Sequence, residues 1–489
     1  MKKIINTVIF FAFYPSSTLA QNDIDTLIKD QQYNDSTLRY EQRIKKQDIY
    51  STVGGEKNGR VDLPVEYPCF RLDEIIINND YLKLAAVSKI RTEALKSCPG
   101  QQGIARLAQA LQDVFIKAGY ITTRVEIPPQ DLSSGILRLN VIAGRIDEVI
   151  IDSKDVARAI LPFNQGDILY VRDLEQGLEN LQRVPGVEVK IHIEPGRREG
   201  YSRVVIYSQR STGWNLRASV NNWGDKSTGQ YLASLSGYVY NMANINDIFY
   251  LSAGQSMTAG YNNLSGYYSF PWRYWEFEFF YSRSLSRQEI NSHSQQLNYT
   301  GENHYASIKS AGTLYRDRDK KFTAFLEVLR RKSAYQLNGI GLLLQRRNMS
   351  HLRLGINYKQ NYAVGMLNST LAYQRFTPLF GGHPSPDMVT GEVSSASHLL
   401  SLDTNYLKPL SYGALQAWYE INLGGQYAPE ALVLQDQLAL GNRWNVRGFD
   451  NSAGLYGDKG FYLQNTLTIG TGLKDMEAYA GLDYGEVYL

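Results

Sequence analysis

The sequence predicts a membrane β-barrel preceded by two small α/β modules and a polar N-terminal helix. Three observations support this fold class. Of the 489 residues, 25 of the 35 Tyr and all 6 Trp lie from residue 213 onward. This second part alternates apolar and polar residues with a period of two, which is typical of strands. The first part instead combines short β-rich runs with apolar residues at helical spacing.

The overall composition excludes two other classes of protein. The chain has 51 Lys+Arg against 48 Asp+Glu, a net charge of +3, whereas a nucleic-acid-binding protein normally carries a basic excess. The mean hydropathy of −0.34 argues against a helical membrane protein. Beyond the N-terminus, the sequence also lacks the run of ~18 uncharged apolar residues that a spanning helix needs.

Residues 1–20 are typical of a secretory signal peptide. Lys2 and Lys3 form a positive start, Ile4 to Tyr14 form an apolar core, and small residues lead to a cleavage site after Ala20. The alternative interpretation is a short buried helix. A signal peptide predicts export from the cytoplasm.

A polar helix and a linker are predicted next. Residues 21–48 carry many charges and too few apolar residues for a buried stripe, so this helix is expected to be solvated or to lie in a wet interior. Residues 49–66 contain Gly54, Gly55, Gly59 and Pro64, a composition typical of a linker.

The 2 cysteines of the chain are Cys69 and Cys98. They form no CxxC and have no nearby His, so a metal site is disfavoured. In an oxidising periplasm we expect them to pair, closing a loop of ~30 residues that contributes about 3–4 kcal/mol. Two buried free thiols are the alternative.

Two successive modules are predicted at 67–144 and 145–210. In the first, a β-rich run at 70–77 precedes a helix at 103–119 and strands at 121–127 and 135–141. In the second, a strand at 146–151 precedes helices at 156–160 and 174–182, and strands at 187–193 and 202–207 follow. A generic α/β module is compatible with these patterns.

The run from Val171 to Val187, VRDLEQGLENLQRVPGV, closely resembles the second POTRA domain of two-partner secretion transporters. This family is named for haemolysin and haemagglutinin secretion proteins, and it includes a branch that serves contact-dependent growth inhibition. The resemblance implies that both modules are POTRA domains. It also implies that the helix at 21–48 is the plug of the pore.

The barrel is predicted at 211–489. Strict alternation is clear at 275–282, 352–359 and 415–423, where one face is apolar or aromatic and the other mainly polar. A soluble β-sandwich also alternates. Interfacial aromatic residues, ~10-residue segments and glycine-rich turns favour an outer-membrane barrel.

The length of this region predicts the number of strands. At ~20–22 residues for a strand with its connection, it holds about 13 strands. Family resemblance implies a 16-stranded barrel, so we expect this barrel to be incomplete at its C-terminus by about three strands. The sequence is then either a fragment or a truncated transporter.

The most specific motif is Val446, Arg447, Gly448 and Phe449. It resembles the family signature at the tip of a long loop that folds into the barrel lumen. Two nearby residues depart from the family pattern: Asn442 stands where a second glycine is usual, and Gln464 where arginine is common.

The second motif is Gly481, Leu482 and Asp483, which resembles a strand motif of the same family. Strand alternation alone places Leu482 with the lipid-facing apolar set and Asp483 on the inner face. Asp483 is therefore expected to accept a charge-assisted bond from Arg447. An exposed loop position is the alternative for Arg447.

The resemblance implies a non-enzymatic outer-membrane pore that translocates a large β-helical exoprotein from periplasm to cell surface. Haemolysin, adhesin and contact-dependent inhibition toxin all fit as this exoprotein. Expected partners are the exoprotein at the POTRA domains, outer-membrane lipid, and the barrel assembly machinery for insertion, without nucleic acid. No catalytic residue, cofactor or metal is expected, because HExxH, GxSxG and P-loop motifs are missing from the sequence.

Three rival functions fit the sequence less well. An outer-membrane assembly factor shares POTRA modules and the arginine motif, but two modules and a plug-like helix favour secretion. A passive porin would leave the periplasmic modules without a purpose. Asp, His and Ser side chains on outer strands leave a barrel hydrolase as the enzymatic alternative.

Overall fold

The computed structural model describes residues 2–5, 63–153, 156–292, 295–412, 415–449, 454–470 and 476–489. The predicted plug helix at 21–48 lies outside the described residues, as do most of the predicted signal peptide and linker. Strand β1 (Lys2–Ile5) falls within the predicted signal peptide and pairs antiparallel with the last strand of the chain.

The first module has a three-stranded sheet covered by two helices. Its elements are β2 (Glu74–Asn78), α1 (Ala85–Ala94), α2 (Gln101–Lys117), β3 (Arg124–Glu126) and β4 (Ile136–Ile142). The sheet order is β2-β4-β3, and β2 runs parallel to β4. The core lies between the sheet and α2, where Leu107 and Phe115 are fully buried beside Leu137 and Leu139.

The sequence pattern does not predict helix α1, because just three of its ten residues, Val87, Ile90 and Ala94, are buried. So short an apolar stripe gives a weak helical period. Between α1 and α2, Cys98 forms a disulfide with Cys69 at a Cα–Cα distance of 5.3 Å, and both cysteines are exposed.

The second module repeats the βαββ order with one long helix. Its elements are β5 (Arg145–Asp152), α3 (Val171–Gln182), β6 (Val187–Pro195) and β7 (Tyr201–Arg210), with a 3₁₀ turn at Arg158–Ile160 in place of the first predicted helix. The sheet order is β5-β7-β6. None of the helices in the described ranges is long and apolar enough to cross a membrane.

The remainder of the chain forms one large antiparallel sheet. Thirteen strands follow one another in its order within the described residues: β8 (Trp214–Asn221), β9 (Leu232–Tyr240), β10 (Ile248–Ser256), β11 (Tyr261–Trp272), β12 (Trp275–Ser292), β13 (Gln295–Arg316), β14 (Lys320–Leu337), β16 (Arg347–Tyr362), β17 (Gly365–Thr377), β18 (His398–Tyr412), β19 (Leu415–Tyr427), β22 (Lys459–Gly470) and β23 (Glu477–Tyr488). This count matches the number predicted from length. Among these strands, β8 pairs with β9 and β23 pairs with β22 and β1.

Short elements lie in the connections of this sheet. Strand β15 (Ile340–Gly341) pairs antiparallel with the end of β14, and strands β20 (Leu438–Leu440) and β21 (Leu455–Gly457) pair with each other. Helix α4 (Pro386–Thr390) precedes β18.

The two faces of the sheet differ in polarity, as the alternation predicted. On β12, Trp275, Phe279 and Tyr281 are exposed on the outer face, whereas Ser282 is buried on the inner face. On β14 the inner face carries Glu327, Leu329, Arg331, Ser333 and Tyr335, and most of these residues are polar. An apolar outer face and a polar inner face are the pattern of a membrane barrel.

Candidate functional site

A long connection between β19 and β22 folds into the interior of the sheet. We call the described residues of this connection, 428–449 and 454–458, the lumen loop. Leu440 and Val446 of the loop form a buried cluster with Val487 of β23. The loop therefore packs against the inner wall instead of extending into solvent.

Arg447 of the lumen loop forms a bidentate ion pair with Asp483 of β23. Nε donates to Oδ2 at 2.7 Å and Nη2 donates to Oδ1 at 2.6 Å. The backbone N–H of Arg447 also donates to Oδ2 at 2.9 Å, and Nη2 donates to the backbone oxygen of Asn465 at 3.2 Å. The Asp483 side chain is only 4% exposed, so its charge is compensated by this arginine.

The glycines of both motifs are explained by close approach and by backbone conformation. A Cβ at Gly481 would lie 2.7 Å from Nη2 of Arg447, so a larger residue would collide with the guanidinium. Gly448 has φ +95°, which places it in the left-handed region that favours glycine. The chain can thus turn directly after Arg447.

The turn before the motif is held by two asparagines. Oδ1 of Asn445 accepts hydrogen bonds from the backbone N–H groups of Gly441, Asn442 and Val446 at 3.1, 3.2 and 2.6 Å. Asn442 accepts the N–H of Trp444 at 2.8 Å. This residue, which departs from the family pattern, therefore contributes a hydrogen bond that glycine lacks. Gln464, the second departure, is buried opposite Asp483 in the β22–β23 register.

A second contact of the lumen loop centres on Asp436, whose side chain is completely buried. Its carboxylate accepts four hydrogen bonds from the inner wall: Arg331 Nη1 at 2.9 Å, His351 Nε2 at 2.9 Å, Ser397 Oγ at 3.1 Å and Gln374 Nε2 at 3.2 Å. The sequence pattern does not predict this cluster, because its members are scattered over more than 100 positions and match no motif.

The two contacts fix the loop to different parts of the wall. Asp436 is bound by strands β14, β16 and β17 and by Ser397 just before β18, whereas Arg447 is bound by β22 and β23. Strand β19 and nearly all of β18 lie between these two groups in the sheet order. The lumen loop therefore bridges the interior.

Helix α3 of the second module docks against the end of the barrel. Arg316, at the end of β13, contacts Glu179 through Nη2–Oε1 at 2.9 Å, Gln176 through Nη1–Oε1 at 2.9 Å and Glu175 through Nε–Oε2 at 3.4 Å. Lys321 of β14 contacts the other oxygen of Glu179 at 2.6 Å. The sequence run that carried the family resemblance thus forms the contact surface between module and barrel.

Arg183, just after α3, extends this interface to two further turns of the barrel. It donates to the backbone oxygens of Asn246 and Ser269 at 2.9 and 3.0 Å, and to Oε1 of Glu276 at 2.7 Å. Asn180 donates to the backbone oxygen of Arg273 at 2.7 Å. Three turns at the same end of the barrel are therefore fixed to one helix.

Asp173 is a titratable group of this interface whose pKa is shifted by burial. Tyr274 donates its hydroxyl proton to Oδ1 of Asp173. Burial raises the pKa of Asp173 to about 6, although the tyrosine hydrogen bond opposes that shift. Within the described residues, no group of three or more His, Cys, Asp or Glu side chains is placed to hold a metal ion.

Three family models match successive parts of the chain and together cover most of its length. Residues 200–489 match the family described as haemolysin secretion/activation protein ShlB/FhaC/HecB. Residues 70–144 match the ShlB-type POTRA domain, and residues 145–195 match a POTRA domain.

Similar proteins and structures are outer-membrane transporters. The outer membrane transporter CdiB-2 of Burkholderia pseudomallei is 29% identical over 450 residues, covering 87% of this chain and 77% of that protein. The hemolysin transporter ShlB of Serratia marcescens is 27% identical over 403 residues, covering 80% and 71%. The structure of CdiB from Acinetobacter baumannii superposes with a TM-score of 0.79 at 25% identity, covering 96% of this chain and 90% of that one. CdiB from Escherichia coli gives 0.81 at 23% identity, covering 96% and 89%.

Proposed function

We infer the function from one premise: the chain belongs to the haemolysin secretion/activation family ShlB/FhaC/HecB. Its members are non-enzymatic outer-membrane transporters of two-partner secretion, with POTRA domains in the periplasm. We propose that this chain recognises one large β-helical exoprotein in the periplasm and passes it through the barrel to the cell surface. The observation that carries the proposal is the lumen loop, bound by Arg447 to Asp483 inside a polar interior.

The first step of the proposed mechanism is capture of the unfolded exoprotein by the POTRA domains. Strands β2 and β3 are the edges of the first sheet, and β5 and β6 are the edges of the second. An edge strand offers unpaired backbone groups to which an extended segment can add as a further strand. Backbone recognition of this kind suits a partner that arrives unfolded.

Docking of helix α3 against the barrel determines where a captured segment lies. Because Glu179 and Arg183 fix the second POTRA domain to the turns of the barrel, a segment held at its sheet lies beside the entrance of the pore. The exoprotein then meets an inner wall of polar side chains, which do not retain apolar segments of an unfolded chain.

The lumen loop and the plug helix at 21–48 are proposed as the obstacles that the exoprotein displaces. The plug helix is expected to leave the lumen when the partner engages. Arg447 and Asp483 are proposed to keep the loop tip at a fixed position of the wall while the chain passes. Folding of the exoprotein outside the cell favours movement in the outward direction.

Haemolysin, adhesin and contact-dependent inhibition toxin remain the proposed exoprotein classes. The CdiB transporters and hemolysin transporters among the similar proteins support the first and third of these. We also propose that lipid surrounds the apolar outer face of the barrel and that the barrel assembly machinery inserts it. The exposed Phe279, Ile308 and Leu326 support contact with lipid.

The test is co-expression with a large exoprotein of the two-partner secretion type, sought first among the products of the neighbouring genes, followed by assay of the medium for that exoprotein. Secretion that depends on this chain supports the proposal. Periplasmic retention of the exoprotein in the presence of correctly inserted transporter would contradict it.

A further inference from the structure

A row of basic side chains lies on the outer face of the barrel, far from the POTRA domains. We call Arg283, His304, Arg330, Lys332, Arg375 and His398 the cationic belt. Its members form two groups with β16 between them: Arg283 faces His304 and His304 faces Lys332 in one group, and Arg375 faces His398 in the other. Arg330 lies two positions before Lys332 on the same face of β14.

The belt points away from the lumen. Its chain neighbours Ser282, Ser284, Arg331, Ser333 and Gln374 are buried on the inner face, so alternation directs the belt outward. Residues that share this outer face closer to the POTRA domains are apolar or aromatic and exposed: Phe279, Tyr281, Ile308, Leu326 and Tyr373. The belt therefore borders the surface that contacts the hydrocarbon layer.

The height of the belt follows from strand geometry. The contacts of α3 mark one end of the barrel as periplasmic. Arg283 lies eight positions beyond Trp275 at that end, and Arg375 lies ten positions beyond Gly365. At ~3.3 Å per residue and a tilt of ~40°, these positions are about 20–25 Å up the barrel, close to the ~25 Å height of an apolar band. The belt lies at the cell-surface edge of the membrane.

Most of the positive charge in the belt is not neutralised by the protein. Glu302 accepts from Arg283 at 2.7 Å and lies 3.1 Å from His304. Arg330 donates to two neutral acceptors, the side chain of Asn348 at 3.2 Å and the backbone oxygen of Gly381 at 3.1 Å. Within the described ranges, the side chains of Lys332 and Arg375 have no hydrogen-bond or ion-pair partner.

We propose that the cationic belt binds the phosphate groups of a phosphorylated glycolipid in the outer leaflet. A glycolipid of the lipid A type places its acyl chains against Tyr281 and Tyr373 and its phosphates at the level of Lys332 and Arg375. Arginine binds phosphate through two N–H groups and lysine as a point charge. The inference requires the outer-membrane location but not the identity of the exoprotein, so secretion and lipid binding are tested separately.

The test measures binding of bisphosphorylated lipid A to the full chain in detergent, by native mass spectrometry and by the shift in thermal stability. We compare the double variant K332Q/R375Q with K408Q. Lys408 shares the outer face of β18 with exposed Leu410 but lies at the periplasmic end, so it is a matched control. We expect binding to weaken about thirtyfold in the double variant and less than twofold in the control.

Three further probes identify the ligand class: dephosphorylated lipid A, phosphatidylglycerol and inorganic phosphate. Each is expected to bind at least tenfold more weakly than bisphosphorylated lipid A. Equal binding by the two variants would overturn the site, and equal binding of phosphatidylglycerol or of phosphate alone would overturn the glycolipid. Thermal stability without lipid shows whether K332Q/R375Q is folded, and both changes are at exposed positions.

Discussion

Glu179 of helix α3 and Arg316 of strand β13 lie 137 positions apart in the chain and form a buried ion pair at 2.9 Å. Their side chains are 8% and 2% exposed. Lys321 adds a second positive group to the same carboxylate. This contact joins the second POTRA domain to the barrel and fixes their relative orientation.

Glu179→Ala is expected to loosen this junction. The change removes the nearer of the two carboxylates that contact buried Arg316, and Lys321 loses the same partner, at a cost of up to about 3–5 kcal/mol. Spin labels on the POTRA domain and on the barrel should show a broadened distance distribution. Glu188→Ala, at an exposed position of β6, is the control and should leave the distribution unchanged. An unaltered distribution in the Glu179 variant would show that other contacts hold the domain.

Docking of the same domain is expected to depend on pH through Asp173. Its pKa is about 6 in the docked state, above the ordinary 3.8, because burial disfavours the charged carboxylate. Protonation therefore favours the docked state: the gain is complete below 3.8 and is lost as pH rises through 6. The distribution of distances between the spin labels on the POTRA domain and on the barrel should narrow as pH falls through this range. Asp173→Asn should abolish the dependence, whereas Asp152→Asn at an exposed position should retain it.

Arg447→Ala is expected to abolish secretion of the exoprotein while the transporter remains in the membrane. The change leaves Asp483 buried without its partner, a cost of about 3–5 kcal/mol that a wet lumen reduces. Arg447→Lys keeps the charge but not the bidentate contact, so secretion should be intermediate.

Arg443→Ala is the matched control for that experiment. Arg443 lies in the same loop, with its guanidinium 4.7 Å from the centre of the Trp223 ring. Secretion by this variant should stay close to normal. Unimpaired secretion by Arg447→Ala would refute the role assigned to the motif.

Asp436→Asn is expected to free the other contact of the lumen loop. Arg331 and His351 would remain in the wall but lose the carboxylate that accepts their hydrogen bonds. The Arg447 contact stays intact, so the loop should move without leaving the lumen. Single-channel recordings in planar bilayers should show more frequent opening, while Glu430→Gln, exposed in the same loop, should behave as the native protein. Identical recordings for Asp436→Asn and the native protein would contradict this account.

Local periodicity was enough to predict much of the barrel. Alternation at 275–282 identified which face of β12 is exposed, and the length of the region predicted thirteen strands. The same parity put Asp483 on the inner face, where the structure has it against Arg447. These features depend on neighbours in the chain, because side chains of a strand alternate at every residue.

Helix α1 and the contacts of α3 could not be predicted from local periodicity. In α1 the buried stripe is too short to give a period. In α3, the polar residues Glu175, Gln176, Glu179 and Asn180 have the composition of a solvent-exposed face. They are buried because the barrel covers them. Composition cannot distinguish these two environments, since the covering partner lies elsewhere in the chain.

The sequence by itself determined the division into periplasmic modules and barrel, the family, and the two motifs that face each other in the lumen. Only the tertiary structure decided which charges meet: Glu179 with Arg316, Asp436 with Arg331 and His351, and the cationic belt across several strands. The physical reason is that strand and helix periods arise from local backbone geometry. Ion pairs instead depend on distances of a few ångströms between residues separated by up to 137 positions, and strand register and domain docking set those distances.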